Sequence, residues 1–182
     1  MKSTFAISKT TFRSKSLVTL AAILCAVALP QVFHAVGAIS GLGGNIGAAF
    51  LPMHIPVFIA AFLAGPVVGV LAGLISPLLS HGISGMPTVA LLPFMTIELM
   101  GFGLMAGLLH KNKLPVILNL IIAQLAGRAL RSVAVLTAVF ALGSQAVALD
   151  SIWNTIIIGL PGIMLQWALI PLFIYRLKGQ KK

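Results

Sequence analysis

The feature that most constrains this fold is the length of its apolar runs. A helix needs about 20 apolar residues to cross the hydrocarbon core of a bilayer. Six stretches meet that requirement, at residues 17–36, 46–63, 67–83, 89–109, 114–142 and 151–175. Hydrophobic residues make up 59% of the chain and charged residues only 8%, a composition that a soluble domain of this length cannot bury. The sequence therefore predicts an all-α membrane protein with six transmembrane helices.

The distribution of basic residues predicts the direction of these helices. The chain has twelve Lys and Arg but only two carboxylates, Glu98 and Asp150. Outside the apolar runs, Lys and Arg occur in the first 16 residues, in the connection 110–113 and after residue 175, and the other four connections have none. Six spans place all these basic residues on one side, which the positive-inside rule assigns to the cytoplasm. We expect three parts: a basic cytoplasmic segment (1–16), a six-helix transmembrane domain (17–175) and a basic cytoplasmic tail (176–182).

The first apolar run also resembles a secretory signal peptide. Basic residues precede it, and Ala26-Val27-Ala28 offers a site of the small-x-small type. However, Pro30 would directly follow the cleavage region, and the apolar run continues through Val32 and Phe33. We therefore expect a retained first helix. Cleavage would leave five spans with the same sidedness, so charge alone does not separate the two alternatives.

Three charged side chains lie at membrane depth, where each costs roughly 2.5–3.5 kcal/mol on insertion scales and needs a partner or a purpose. Glu98 is about 14 Å from the outer end of the fourth span, from the helical rise of 1.5 Å per residue. Arg131 is about 16 Å from the outer end of the fifth span by the same rise. The matching depths predict an ion pair of Glu98 with Arg131 or with Arg128.

Other polar residues fall in the same outer layer. Gln124 shares one helical face with both arginines at i, i+4, i+7 spacing. His54 lies about 12 Å deep between two prolines that predict irregular backbone, and Asn154 is near the outer end of the last span. His34 and Asn45 are weaker candidates beside the first outer loop. This layer predicts either a network that only fixes helix packing or a solute pocket open to the outside. One carboxylate and two guanidiniums leave one net positive charge, which favours an anionic or hydrogen-bond-accepting solute.

Several chemistries have no support in the sequence. There is no nucleotide-binding loop, no HExxH motif and only one cysteine. Ser80 and His81 are sequence neighbours that point in different directions on a helix, and neither Ser76 nor Ser80 lies in a glycine-flanked elbow. Basic residues do not alternate with exposed aromatics as in nucleic-acid-binding surfaces. We therefore expect no enzymatic activity, no cofactor, no metal and no nucleic-acid partner.

The overall layout resembles the substrate-binding S component of energy-coupling factor (ECF) transporters. The resemblance covers nearly the whole chain, with about 180 residues, six spans and cytoplasmic ends. The local motifs that carry it are Leu51-Pro52-Met53-His54-Ile55-Pro56-Val57, Ala64-Gly65-Pro66 with Gly69, Ser76-Pro77 with Gly85-Met86-Pro87, and Glu98-Leu99 with Gly101 and Gly103.

This resemblance implies a function and a set of partners. It implies a receptor in the bacterial cytoplasmic membrane that binds a vitamin or vitamin precursor from outside, with the pocket under the loops 37–47 and 82–87. The partners that it implies are a transmembrane coupling subunit and two cytoplasmic ATPases. Ala22 and Ala26 match the alanine-x-x-x-alanine motif by which the family docks on the coupling subunit, and simple helix packing is the alternative role for this pair. Other small-residue pairs, such as Gly69 with Gly73, we interpret as packing contacts.

The sequence leaves the identity of the substrate open. The second arginine favours a carboxylate-bearing vitamin such as pantothenate. Precursors of cobalamin or thiamin are alternatives, because a neutral heterocycle can also use Glu98 and His54. A stand-alone facilitator or secondary carrier, and a ligand-free assembly protein, are the competing functions.

Overall fold

The computed structural model describes residues 9–41, 45–145 and 147–179, and within these ranges it has no β-strand. The helices are α1 (Lys9–Ile39), α2 (Asn45–Phe50), α3 (His54–Ala64), α4 (Pro66–Ser84), α5 (Leu92–Leu108), α6 (Val116–Leu136), α7 (Ser151–Ile158) and α8 (Leu160–Gly179). A 3-10 turn follows α5 and a π-helical turn, Thr137–Ala141, follows α6. Three parts of the sequence predictions lie outside the described residues: the first eight residues, positions 42–44 of the first loop, and the last lysines of the tail, Lys181 and Lys182.

The prediction of six spans is confirmed. Six helical segments of the described chain are long and apolar enough to cross a membrane: Arg13–Ile39, Gly47–Ala64, Pro66–Ser84, Leu92–Lys111, Val116–Ala141 and Leu160–Leu177. The all-α fold class is therefore confirmed, and the cytoplasmic position of both ends stays a prediction.

Two of the spans are interrupted rather than continuous. The second span breaks at residues 51–53, between α2 and α3, where Leu51 has a left-handed φ of 48°. The irregular backbone predicted beside His54 is thus present. The sixth span was predicted as one run from residue 151 to 175, and this is wrong, because it divides at Gly159 into α7 and α8. Pro161 has no amide hydrogen for the helical ladder, and it lies in the first turn of α8, where that hydrogen is not needed.

Glycines bring α4 and α5 into direct backbone contact. A Cβ atom built on Gly69 would lie 2.3 Å from the carbonyl oxygen of Gly103, and one built on Gly73 would lie 2.5 Å from that of Leu99. Only a residue without a side chain permits this approach. The small-residue spacing on α4 and α5 therefore serves packing, as the sequence predicts.

Candidate functional site

The contact between α5 and α6 is centred on Gly127. A Cβ atom at this position would lie 2.2 Å from the ring of Phe102 and 2.8 Å from the carbonyl oxygen of Glu98. Arg131 follows Gly127 by one helical turn, and Glu98 precedes Phe102 by one turn. Residues four apart lie on the same helical face, so the close contact at Gly127 places the carboxylate and the guanidinium side by side.

The predicted ion pair forms with Arg131. Its Nη1 donates a hydrogen bond of 2.8 Å to Oε2 of Glu98, and its Nη2 donates one of 2.9 Å to Oγ1 of Thr155. Nη1 of Arg128 lies 3.8 Å from Oε1 of Glu98, which is an ionic contact but too long for a hydrogen bond. Glu98 is 1% exposed and Arg131 is 9% exposed, so the pair is buried within the bundle.

A cavity of about 350 Å³ lies beside this ion pair. Every described helix except α8 contributes to its wall, together with the connection between α4 and α5. The lining residues are Pro30, His34, Gly47, Ala48, Leu51, Pro52, Met53, His54, Ser80, Met86, Pro87, Thr88, Leu91, Met95, Glu98, Arg131, Ser151, Asn154, Thr155 and Ile158. Apolar walls with a few convergent polar groups are typical of small-molecule sites, and this volume is at the small end of their range.

Four of the six predicted binding residues line this cavity: His54, Glu98, Arg131 and Asn154. His54 is buried, and its ring packs against Phe102 with 5.4 Å between ring centroids. Asn154 is exposed on α7. The structure thus brings these four together, and whether they bind a solute stays a prediction.

The other two predicted residues, Gln124 and Arg128, do not line the cavity. Gln124 joins α6 to α8, because its Nε2 donates to Oε1 of Gln166 at 2.8 Å and its Oε1 accepts from Nε1 of Trp167 at 2.7 Å. Arg128 contacts Glu98 by its guanidinium but is not among the lining residues. Sharing a helical face with Arg131 did not place these two side chains in the cavity wall.

Sequence reasoning missed two hydroxyl groups on α7. Thr155 accepts the hydrogen bond from Arg131 and donates one of 2.7 Å to the carbonyl of Ser151, and both residues line the cavity. Serine and threonine in helices commonly bond to the carbonyl four residues back, so Ser151 and Thr155 in the sequence did not by themselves indicate a binding site. The neighbouring Asn154, already a predicted binding residue, was the feature of the sequence that pointed to α7.

Comparison with protein families decides the assignment. The family described as ECF transporter, substrate-specific component, matches residues 15–177, which is most of the chain. This chain belongs to the ECF transporter substrate-specific component family. It is therefore a multi-pass membrane protein from a family of transporter substrate-binding components, which is not a class of enzymes. No curated protein and no solved structure matches the chain.

Both loops that the resemblance places over the pocket of an S component contribute to this cavity. Gly47 lines it at the end of the first loop, and Met86 and Pro87 line it from the third. The Met86–Pro87 peptide bond is cis. His81 bonds through Nδ1 to the carbonyl of Pro87 at 2.7 Å, which ties this loop back to α4.

The proposed docking alanines of this S component face inward. Ala22 is 6% exposed and Ala26 is 0% exposed, and both belong to a core cluster with residues of α3 and α4. The outward face of α1 instead presents the small residues Ala21, Cys25 and Ala28. Docking through Ala22 and Ala26 stays a prediction, and in this conformation neither side chain is available to another subunit.

Proposed function

We propose that this chain is an S component that binds a vitamin or a vitamin precursor in the cavity beside Glu98 and Arg131. A transmembrane coupling subunit and two cytoplasmic ATPases then complete an ATP-driven importer. The observation that supports this proposal is a cavity with apolar walls and a buried ion pair, in a chain of the S-component family. Buried ionisable groups at membrane depth commonly mark solute paths.

The positions of the basic residues support an outward-facing cavity in the bacterial cytoplasmic membrane. The cavity lies at the end of the bundle where α1 and α4 finish and α5 and α7 begin, which we name the charge-poor end. The connections at this end have no Lys or Arg, whereas Arg13, Lys111 and Arg176 lie at the opposite end. The positive-inside rule assigns that opposite end, with both chain termini, to the cytoplasm.

Cavity size narrows the choice of substrate. A volume of about 350 Å³ is at the small end of the range for small-molecule sites, which favours a precursor of one or two rings. The preference for a pantothenate-like anion is untested. It rested on the second arginine, and Arg128 does not line the cavity.

Reconstitution tests the proposed function directly. The chain is purified with and without a coexpressed coupling subunit and ATPases, and small molecules that copurify are identified by mass spectrometry. We expect one vitamin-type compound to be retained by the S component alone and its uptake into vesicles to require the ATPases. Uptake by the chain alone would instead identify a stand-alone facilitator or secondary carrier.

Matched variants of α1 separate docking from packing. We expect Ala26→Leu to destabilise the isolated chain, because its side chain is fully buried against α3 and α4. Cys25→Leu changes an exposed position one residue earlier and should leave the isolated chain stable. If docking uses the outward face, Cys25→Leu reduces copurification with the coupling subunit; unchanged copurification would restrict docking to other surfaces.

A further inference from the structure

Four buried polar atoms of the cavity-lining residues have no hydrogen-bond partner. They are Nδ1 of His54, Oε1 of Glu98, Nε of Arg131 and Oγ of Ser151, on α3, α5, α6 and α7. Buried polar groups in folded proteins are almost always hydrogen-bonded, and each exception requires an explanation. Four such atoms in residues that line one cavity are explained if a bound solute supplies their partners.

The four atoms require both kinds of partner. A carboxylate oxygen only accepts, so Oε1 of Glu98 needs a donor, whereas Nε of Arg131 only donates and needs an acceptor. The hydroxyl of Ser151 can do either, and Nδ1 of His54 donates or accepts according to the tautomer of the ring. Because Oε2 of Glu98 and Nη1 of Arg131 are joined by a 2.8 Å hydrogen bond, the carboxylate and the guanidinium lie side by side, so one solute can present the donor and the acceptor from the same edge.

The charges that face the cavity favour a solute without net charge. Glu98 and Arg131 neutralise each other, and both terminal nitrogens of Arg131 already donate, to Glu98 and to Thr155. Arg128 does not line the cavity, although its 3.8 Å contact with Oε1 of Glu98 adds a positive charge behind the carboxylate. A carboxylate solute bound at Nε of Arg131 would lie close to the Glu98 carboxylate and leave Oε1 without a donor.

We propose that the solute presents a neutral polar edge with a donor beside an acceptor, as an amide or an amino-substituted nitrogen heterocycle does. The donor bonds to Oε1 of Glu98, and the acceptor receives Nε–H of Arg131 and the hydroxyl of Ser151. The rest of the solute contacts the apolar wall, which includes Met53, Met95 and Ile158. This inference rests on the proposed function, since it names the substrate class of the same site.

Probe pairs that differ in charge test this proposal. The purified protein is incubated with an equimolar mixture of nicotinamide, nicotinate, panthenol, pantothenate, 5,6-dimethylbenzimidazole and 4-amino-5-hydroxymethyl-2-methylpyrimidine, washed, and analysed for retained compounds by mass spectrometry. We expect a neutral compound to be retained. Retention of nicotinate or pantothenate ahead of its neutral counterpart overturns the inference alone, and retention of no compound counts against the proposed function itself.

Substitution of Glu98 gives an independent result, because the direction of its effect on affinity depends on the charge of the solute. Glu98→Gln should lower the affinity for the retained probe by about tenfold or more, equivalent to the loss of one strong hydrogen bond. For an anionic solute the same change removes a like charge and should raise the affinity, which would contradict the proposal.

Ser151→Ala provides the test if Glu98→Gln fails to fold. It should weaken binding of the retained probe by about fivefold, as expected for one neutral hydrogen bond. The matched control is Ser132→Ala on α6, whose hydroxyl bonds to the carbonyl of Arg128 away from the cavity lining, and it should leave the affinity unchanged. Equal affinities in these two variants would overturn the role of Ser151.

Discussion

The two halves of the bundle are built differently. In one half, α4, α5 and α6 are continuous helices with direct backbone contacts at Gly69, Gly103 and Gly127. In the other half, the α2–α3 and α7–α8 spans are interrupted, and the interruptions touch. A Cβ atom on Gly159 would lie 2.8 Å from the side chain of Leu51, and one on Gly162 would lie 2.5 Å from the backbone of Phe50.

The continuous half and the interrupted half contribute differently to the cavity. The continuous half holds Glu98 and Arg131 in place, because glycine contacts leave the helices little room to shift. The interrupted half forms much of the opposite wall, from Leu51 to His54 and from Ser151 to Ile158. Irregular backbone at membrane depth is tolerated where it is buried in protein or lines a cavity, and broken spans commonly mark binding sites in transporters.

The largest effect on stability should come from Glu98→Ala in the continuous half. Removal of one partner of a buried ion pair costs about 3–5 kcal/mol, and here it leaves two guanidiniums without a carboxylate. Thermal unfolding in detergent measures the change. The control is Asp150→Ala, which removes the exposed carboxylate of the chain. If both variants unfold at the same temperature, the ion pair does not stabilise the continuous half.

The next largest effect should come from Gly103→Ala. Its new methyl group would overlap the backbone of Gly69, and overpacking of this kind costs about 1–3 kcal/mol. The control is Gly82→Ala on α4, where a Cβ atom meets nothing within 4 Å, and it should be neutral or stabilising by up to about 1 kcal/mol. Equal unfolding temperatures would show that backbone contact does not hold this half together.

Thr155→Val removes a hydrogen bond between the two halves and should have a moderate effect on stability. It removes the acceptor of Arg131 Nη2, at a cost of about 1 kcal/mol, while the bond from Arg131 to Glu98 stays intact. Thr137→Val is the matched control, because Thr137 makes the same bond to the carbonyl four residues back and does not line the cavity. We expect binding of the retained probe to fall in Thr155→Val only; a parallel loss in both variants would argue against a special role for α7.

The smallest effect should come from Asn154→Ala in the interrupted half. The side chain is exposed, and its 3.3 Å bond to Asp150 is weak, so unfolding should change by less than about 0.5 kcal/mol. Because Asn154 lines the cavity, calorimetry should still detect weaker binding of the retained probe. A large loss of stability would show that α7 is as tightly packed as the continuous half.

The sequence alone determined the number of spans and the pairing of Glu98 with an arginine. These properties depend on the length of apolar runs and on position along a helix, both of which can be read residue by residue. Only the tertiary structure decided which arginine makes the hydrogen-bonded pair with Glu98 and that Gln124 bonds to α8. It also decided that Ala22 and Ala26 face inward and that the last span breaks at Gly159. Each of these depends on how a helix is rotated toward its neighbours, and that rotation is set by contacts such as Gly127 with Phe102, between residues far apart in the chain.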